Sequence, residues 1–129
     1  MLSLAFDRKH RVLQVTVSGI FASEDLDAVD HAVLGFVARE GQVRSIYDFS
    51  AVEAFAVPAS RIVMRAQQPA IVREDRVMIT SPAADAEAMR GYGRHQREAG
   101  EREPLIADSH EEAYAMLGLR NPRFEPVER

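Results

Sequence analysis

The sequence predicts a single α/β domain: a small mixed sheet of about five strands, with helices laid mainly against one face. Three observations carry this expectation. Near the start, apolar and polar residues alternate with period two in two runs separated by a short polar stretch, the pattern of an antiparallel hairpin. Beyond it, each strand-like run is separated from the next by a segment with helical spacing, and such crossovers join parallel neighbours right-handedly. The apolar run 43–49 does not alternate cleanly, as expected of an interior strand covered on both faces.

Taken in order, Leu2, Leu4 and Phe6 point one way, and Asp7 to His10 form a polar turn. Leu13, Val15 and Val17 then alternate with Gln14, Thr16 and Ser18. Gly19 closes this second strand, with Ile20 and Phe21 packed at the sheet's end. Ser23 supplies a helix cap, and Glu24 and Asp25 place negative charge at the positive end of the helix dipole. Leu26, Val29, Val33, Phe36 and Val37 form the buried stripe of that helix, which stops at Gly41.

The strand 43–49 follows, carrying Ile46, Tyr47 and Phe49, with Asp48 and Ser50 where it runs out. Pro58 suits the first turn of a helix. In it Ile62, Val63 and Ala66 bury, while Arg61, Arg65 and Gln68 share the other side; Pro69 ends the helix near Gln68. RVMIT (76–80) is a short strand. Ser81 and Pro82 open a helix through about Ala99, stopped by Gly100, with Met89, Tyr92 and Ala99 inside and Arg90, Arg94 and Arg97 outside. A last strand spans 105–107, and Ser109 with Glu112 forms a capping pair for a helix holding Ala113, Tyr114 and Leu117. The order is β-β-α-β-α-β-α-β-α over residues 1–120, followed by a tail, 121–129, with two prolines and little to bury. Phe36, Ile46, Phe49, Ile62, Val77, Ile79 and Leu117 are expected in one core.

Composition narrows the function. A chain of 129 residues suffices for one domain with a sizeable core. Its net charge of −4 argues against a general electrostatic grip on nucleic acid. The absence of cysteine excludes disulfides, thiol chemistry and thiolate metal sites, and fits a cytoplasmic protein. No apolar run has the length of a membrane span, and MLSLAFDRKH has no basic leader followed by a long apolar core, so no signal peptide is expected.

The order D-F-S-x-V after the apolar strand (residues 48–52) is similar to the D-L-S-x-V of the STAS domains, the fold of the anti-sigma-factor antagonists. The second half, RVMITSPAADAEAMRGYGRHQREAG and then PLIADSHEEAYAMLGL, resembles the C-terminal half of bacterial STAS-like proteins of unassigned activity, down to a closing E-A-x-x-x-L-G. The resemblance covers nearly the whole chain and implies the strand and helix order already derived. It departs at one place. Antagonists that work by phosphorylation carry a D-S-S-G-L type motif where this chain reads Ala56-Val57-Pro58-Ala59-Ser60, so a kinase-operated switch at Ser60 is not carried over.

Candidate chemistry is sparse. His10, His31, His95 and His110 lie in four different elements without paired metal-ligand spacing, so no metal site is expected. Asp48 and Ser50 read first as local turn chemistry, since no G-x-S-x-G elbow surrounds the serine and no catalytic set is recognisable. Gly91 and Gly93 sit inside a helix and lack the preceding strand of a phosphate loop; they mark close packing or a weak point. No cofactor is expected. The arginines are the informative feature: one-sign stripes on two helices, in an acidic chain, offer a site for an anion or an acidic partner at Ser60, Arg61, Arg65, Arg90 and Arg94. The expected function is a non-enzymatic interaction or regulatory module, forming a homodimer or meeting another protein or a small anionic ligand. The alternative is a small-molecule or lipid carrier with a pocket between helices and sheet. A small hydrolase or transferase using Asp48, Ser50 and an arginine ranks last.

Overall fold

In the computed structural model, which describes residues 1–83 and 86–128, the chain runs β1 (Leu2–Asp7), β2 (Val12–Phe21), α1 (Ser23–Glu40), β3 (Arg44–Phe55), α2 (Ala59–Ala66), β4 (Arg76–Ile79), α3 (Ala86–Glu98), β5 (Leu105–Ala107), α4 (His110–Met116) and β6 (Glu125–Val127). The sheet order is β5-β4-β3-β2-β1-β6. β1 pairs antiparallel with β2 and with β6, and β2 to β5 are parallel neighbours. The expected mixed α/β architecture is therefore present, with six strands instead of about five. The extra strand comes from the C-terminal segment: Arg123 N–H donates to the Asp7 carboxylate (2.7 Å), and Glu125 to Val127 then pair with β1. Pro126 and a length of three residues suit this edge position.

Strand pleat divides the interior in two. Leu4, Phe6, Leu13, Val15 and Val17 point toward α1 and pack with Val29, Val33 and Phe36. On the opposite face Val12, Ile46, Val77, Ile79 and Ala107 pack against Ala113 of α4 and Leu117 just after it. The single core expected from sequence is thus two cores, with Phe36 on one side of the sheet and Ile46, Val77, Ile79 and Leu117 on the other. Phe49 and Ile62 belong to the α1 side but are only half-buried.

Several local expectations shift. Gly19 does not close β2 but lies inside it at φ +77°, a left-handed conformation suited to glycine, where the β2–β3 register slips. Ile20 beyond it is exposed. β3 runs on to Phe55 because a bulge absorbs Asp48 to Ser50: Thr16 pairs with Asp48 and Ser18 with Ala51, so two residues oppose one. Ser23 is already helical. The cap is Ala22, whose N–H donates to the Asp25 carboxylate at 2.8 Å, so the acidic first turn replaces a serine cap. Ser81 and Pro82 precede α3, which is described from Ala86; the turn expected at 84–85 lies outside the described residues. Ala99, just past the last residue of α3, is exposed rather than inward. Ser109 does cap α4, its hydroxyl accepting from Glu112 N–H at 3.1 Å. Arg44 donates to the Leu117 carbonyl at 2.8 Å and so satisfies an open carbonyl at the other end of that helix.

Candidate functional site

Between α2, α3 and the sheet lies a cavity of about 420 Å³. The pleat that gives Ile46 and Val77 to the α4 side turns Tyr47, Phe49, Arg76 and Met78 toward it. α1 adds Leu26, Val29 and Asp30, α2 adds Ile62, Val63 and Arg65, and α3 adds Met89, Gly91, Tyr92 and His95. Phe21, Phe55 and Val57 close the end built by the β2–β3 extension. This explains why Phe49 and Ile62, apolar and on the inner face, keep accessible surface: they border a space rather than a packed layer.

The wall is apolar except for one cluster. Arg65, buried on α2, donates from Nε to Asp30 of α1 at 2.7 Å and from Nη1 to the Pro69 carbonyl at 3.4 Å. Arg76, 5% exposed, donates from Nη1 to Gln96 Oε1 at 3.0 Å and from Nη2 to the Arg102 carbonyl. Its Nε is buried with no hydrogen-bond acceptor among the described residues. Gln96, wholly buried, holds its amide in register by donating to the Tyr92 hydroxyl at 3.2 Å. Among the described residues, two guanidiniums, the Asp30 carboxylate, the His95 imidazole and the Tyr47 and Tyr92 side chains therefore border a largely apolar space.

Titration behaviour follows from the shortage of water. Burial pushes the Tyr47 hydroxyl up to about 12, partly offset by the Arg76 charge. Burial raises Tyr92 likewise, against the pull of Arg65 and Arg76. For Arg65, burial alone would lower the value, but the hydrogen bond to Asp30 together with the electrostatic pull of Tyr92, Asp30 and Tyr47 outweighs it and the net shift is upward. Among the described residues Arg76 has no such carboxylate bonded to it, and burial lowers it on balance despite Tyr47 and Tyr92 nearby.

The arginines singled out from sequence separate. Arg61 ion-pairs with Asp27 of α1, and Arg65 goes to the cavity. Ser60, Arg90 and Arg94 are exposed on α2 and α3. Asp27 and Asp30, three residues apart on α1, thus receive both arginines of the α2 stripe. Sequence reasoning missed Arg76, Tyr92 and Gln96 as a group. The available signal was a lone arginine opening an otherwise apolar interior strand, RVMI.

A second polar group lies on the opposite face. Asp48 is buried, with Oδ1 accepting from Ser50 Oγ (2.6 Å) and Ser50 N–H (2.9 Å), and Oδ2 lies 2.7 Å from His110 Nε2. The carboxylate sits between serine and imidazole, so the ring is not placed to take the serine proton; this is the reverse of a nucleophile–base–acid relay. It fastens the bulge to the start of α4. Gly93 has a packing role as well, since a Cβ there would lie 2.9 Å from Glu103 Cγ. Among the described residues no three His, Asp or Glu side chains gather as a metal site requires. No helix among them is long and apolar enough to cross a membrane.

No protein-family model matches this sequence, and no curated protein matches it. Solved structures do. The anti-sigma factor antagonist SpoIIAA in its unphosphorylated form superposes with a TM-score of 0.58 at 11% identity, covering 90% of this chain and 96% of its own. An uncharacterized protein of the DUF3478 family from Shewanella loihica PV-4, described as having a SpoIIAA-like fold, gives 0.56 at 10% identity, covering 91% and 92%. At such identities the likeness speaks for architecture, and the chain has the STAS-like fold of SpoIIAA.

Proposed function

We propose that this STAS-like chain is a non-enzymatic, cytoplasmic small-molecule-binding module that holds an apolar ligand between α2, α3 and the sheet. One observation carries the reading: the 420 Å³ cavity, walled by aromatic and aliphatic side chains. Protein interiors normally fill to the density of organic crystals, and small-molecule sites occupy roughly 300–1,000 Å³. The test uses Gly91, which borders the cavity and whose Cβ would meet only the Arg94 guanidinium, at 3.5 Å. Gly91→Leu fills the space while adding about 1 kcal/mol of helix propensity. A neutral naphthylamine dye should brighten with the unaltered protein and not with Gly91→Leu, whose melting temperature stays equal or rises. Undiminished dye binding by that variant would count against the cavity as the site.

A protein-interaction or regulatory role, with a homodimer as its simplest form, is the second reading. On the α4 side of the sheet, Ser3, Ala5, Gln14 and Thr16 lie outside the core that α4 covers, and among the described residues the buried Gln14 Oε1 has no partner. The exposed Ser60, Arg90 and Arg94, with Arg61 beside Asp27, are proposed as the charged surface for an acidic partner or anion. Sedimentation at micromolar concentration, repeated across a salt series, checks both elements. A dimer that persists when salt rises fits the sheet strip, one that dissociates fits the arginines, and a monomer throughout defeats the assembly.

A further inference from the structure

We infer that the ligand of this cavity is a single-chain amphiphile with one anionic head, a carboxylate that the buried Arg76 binds. This rests on the proposed binding function and names its ligand class. The first ground is an unfilled donor. Arg76 borders the cavity and is 5% exposed, and of its five N–H groups one on Nη1 and one on Nη2 donate to neutral acceptors, so each terminal nitrogen keeps a second N–H for a further acceptor. A buried guanidinium without an acceptor on every face is costly, and a carboxylate supplies a strong, charge-assisted one.

The second ground is charge. Arg65 and Arg76 both border the cavity, and among the described residues its one carboxylate, Asp30, is already bonded to Arg65. Among the described residues no carboxylate ion-pairs with Arg76; Glu101 acts on it only from beyond ion-pair range. An entering anion would complete the pairing that Arg65 has and Arg76 lacks.

The third ground is the rest of the wall. Apart from Tyr47, Tyr92 and His95 it is built from side chains such as Phe21, Phe49, Phe55, Val57 and Met89, which accept an apolar body. A volume of about 420 Å³ lies near the lower end of small-molecule sites, room for one chain and not the two of a membrane phospholipid. A polyanion such as a nucleotide does not fit the largely apolar remainder.

The experiment compares decanoate with decanol by titration calorimetry on the unaltered protein, at low and high salt. Decanoate should bind at least about tenfold more tightly, the factor of one buried charge-assisted hydrogen bond. The preference should survive high salt, because buried charges are weakly screened. Octanoate should bind more weakly than decanoate by about fourfold per methylene lost. In Arg76→Gln the decanoate preference should vanish while decanol binding remains. Equal binding of acid and alcohol, a preference lost in salt, or a preference retained by Arg76→Gln would each overturn the inference and leave the cavity reading standing. If neither ligand binds, both fail. The comparison on the unaltered protein decides even where the variant does not fold.

Discussion

Phe36→Ala should destabilise the protein by about 3–5 kcal/mol, seen as a lower urea midpoint with an unchanged denaturant slope. Phe36 is 2% exposed at the centre of the α1-side core, and its ring meets Phe6 edge-on at 5.0 Å between centroids. Truncation removes both the transfer energy of the ring and that aromatic contact, and the sheet beneath cannot collapse onto the space. Leu34→Ala, two residues earlier on the same helix but 57% exposed, should cost under about 0.5 kcal/mol. The pair of variants isolates burial from helix propensity. A Phe36→Ala loss below about 1 kcal/mol would mean that the α1 face is not packed as described. The consequence reaches the cavity, because α1 also carries Asp30, which holds Arg65 in place. Ligand binding should therefore weaken in Phe36→Ala although Phe36 does not touch the cavity.

Architecture was legible where patterning is local and repeated. Period-two alternation in residues 2–6 and 13–17 reported the hairpin, and the stripe Leu26–Val29–Val33–Phe36 reported α1, because one-sided burial writes itself into sequence. The sixth strand was illegible for the converse reason. Three residues containing a proline have no pattern, and what docks them is a hydrogen bond to Asp7, 116 positions earlier. The bulge at Asp48 to Ser50 read as a turn because aspartate and serine bond their own backbone in either setting. Only the neighbouring strand makes the chain continue straight.

The site was legible in part. The one-sign stripe on α2 read as a site for an anion or acidic partner, and in the structure Arg61 and Arg65 meet Asp27 and Asp30 of α1, because charge patterning cannot tell solvent from a carboxylate on another helix. Asp27 and Asp30 sit beside the arginines through tertiary packing alone. Arg76 escaped notice because a single charged residue at a strand start is ordinary. Its meaning comes from what surrounds it: Gln96 and Tyr92 from α3, and an apolar space. A cavity leaves no residue of its own in the sequence. What it leaves is inner-face apolar residues, such as Phe49 and Ile62, that never become fully buried.

Replacing Asp7 should produce a second large loss, with a distinctive pH signature. Asp7 ends β1, is 2% exposed, and accepts from His10 N–H (2.8 Å) and Arg123 N–H (2.7 Å), with His10 Nδ1 at 3.1 Å. It ties the hairpin turn and the β6 edge to one carboxylate. Asp7→Ala leaves two backbone donors without their acceptor, at about 1–3 kcal/mol each, so a total on the order of 2–6 kcal/mol is expected. Burial works to raise the carboxyl's value, but the bonds from His10 and Arg123 outweigh it and hold it below its ordinary 3.8. The unfolded chain thus takes up the proton first as pH falls. The stabilisation is fully present above that ordinary value and disappears as pH drops through the lower folded one. The stability gap between the unaltered protein and Asp7→Asn should accordingly be flat from neutral pH down to about 5 and close progressively below about 4. Amide exchange should localise the effect, with the amides of Arg123 and Val127 losing protection before those of β2 and β3. A gap independent of pH would show that Asp7 holds the turn and the edge strand by packing and not by its charge.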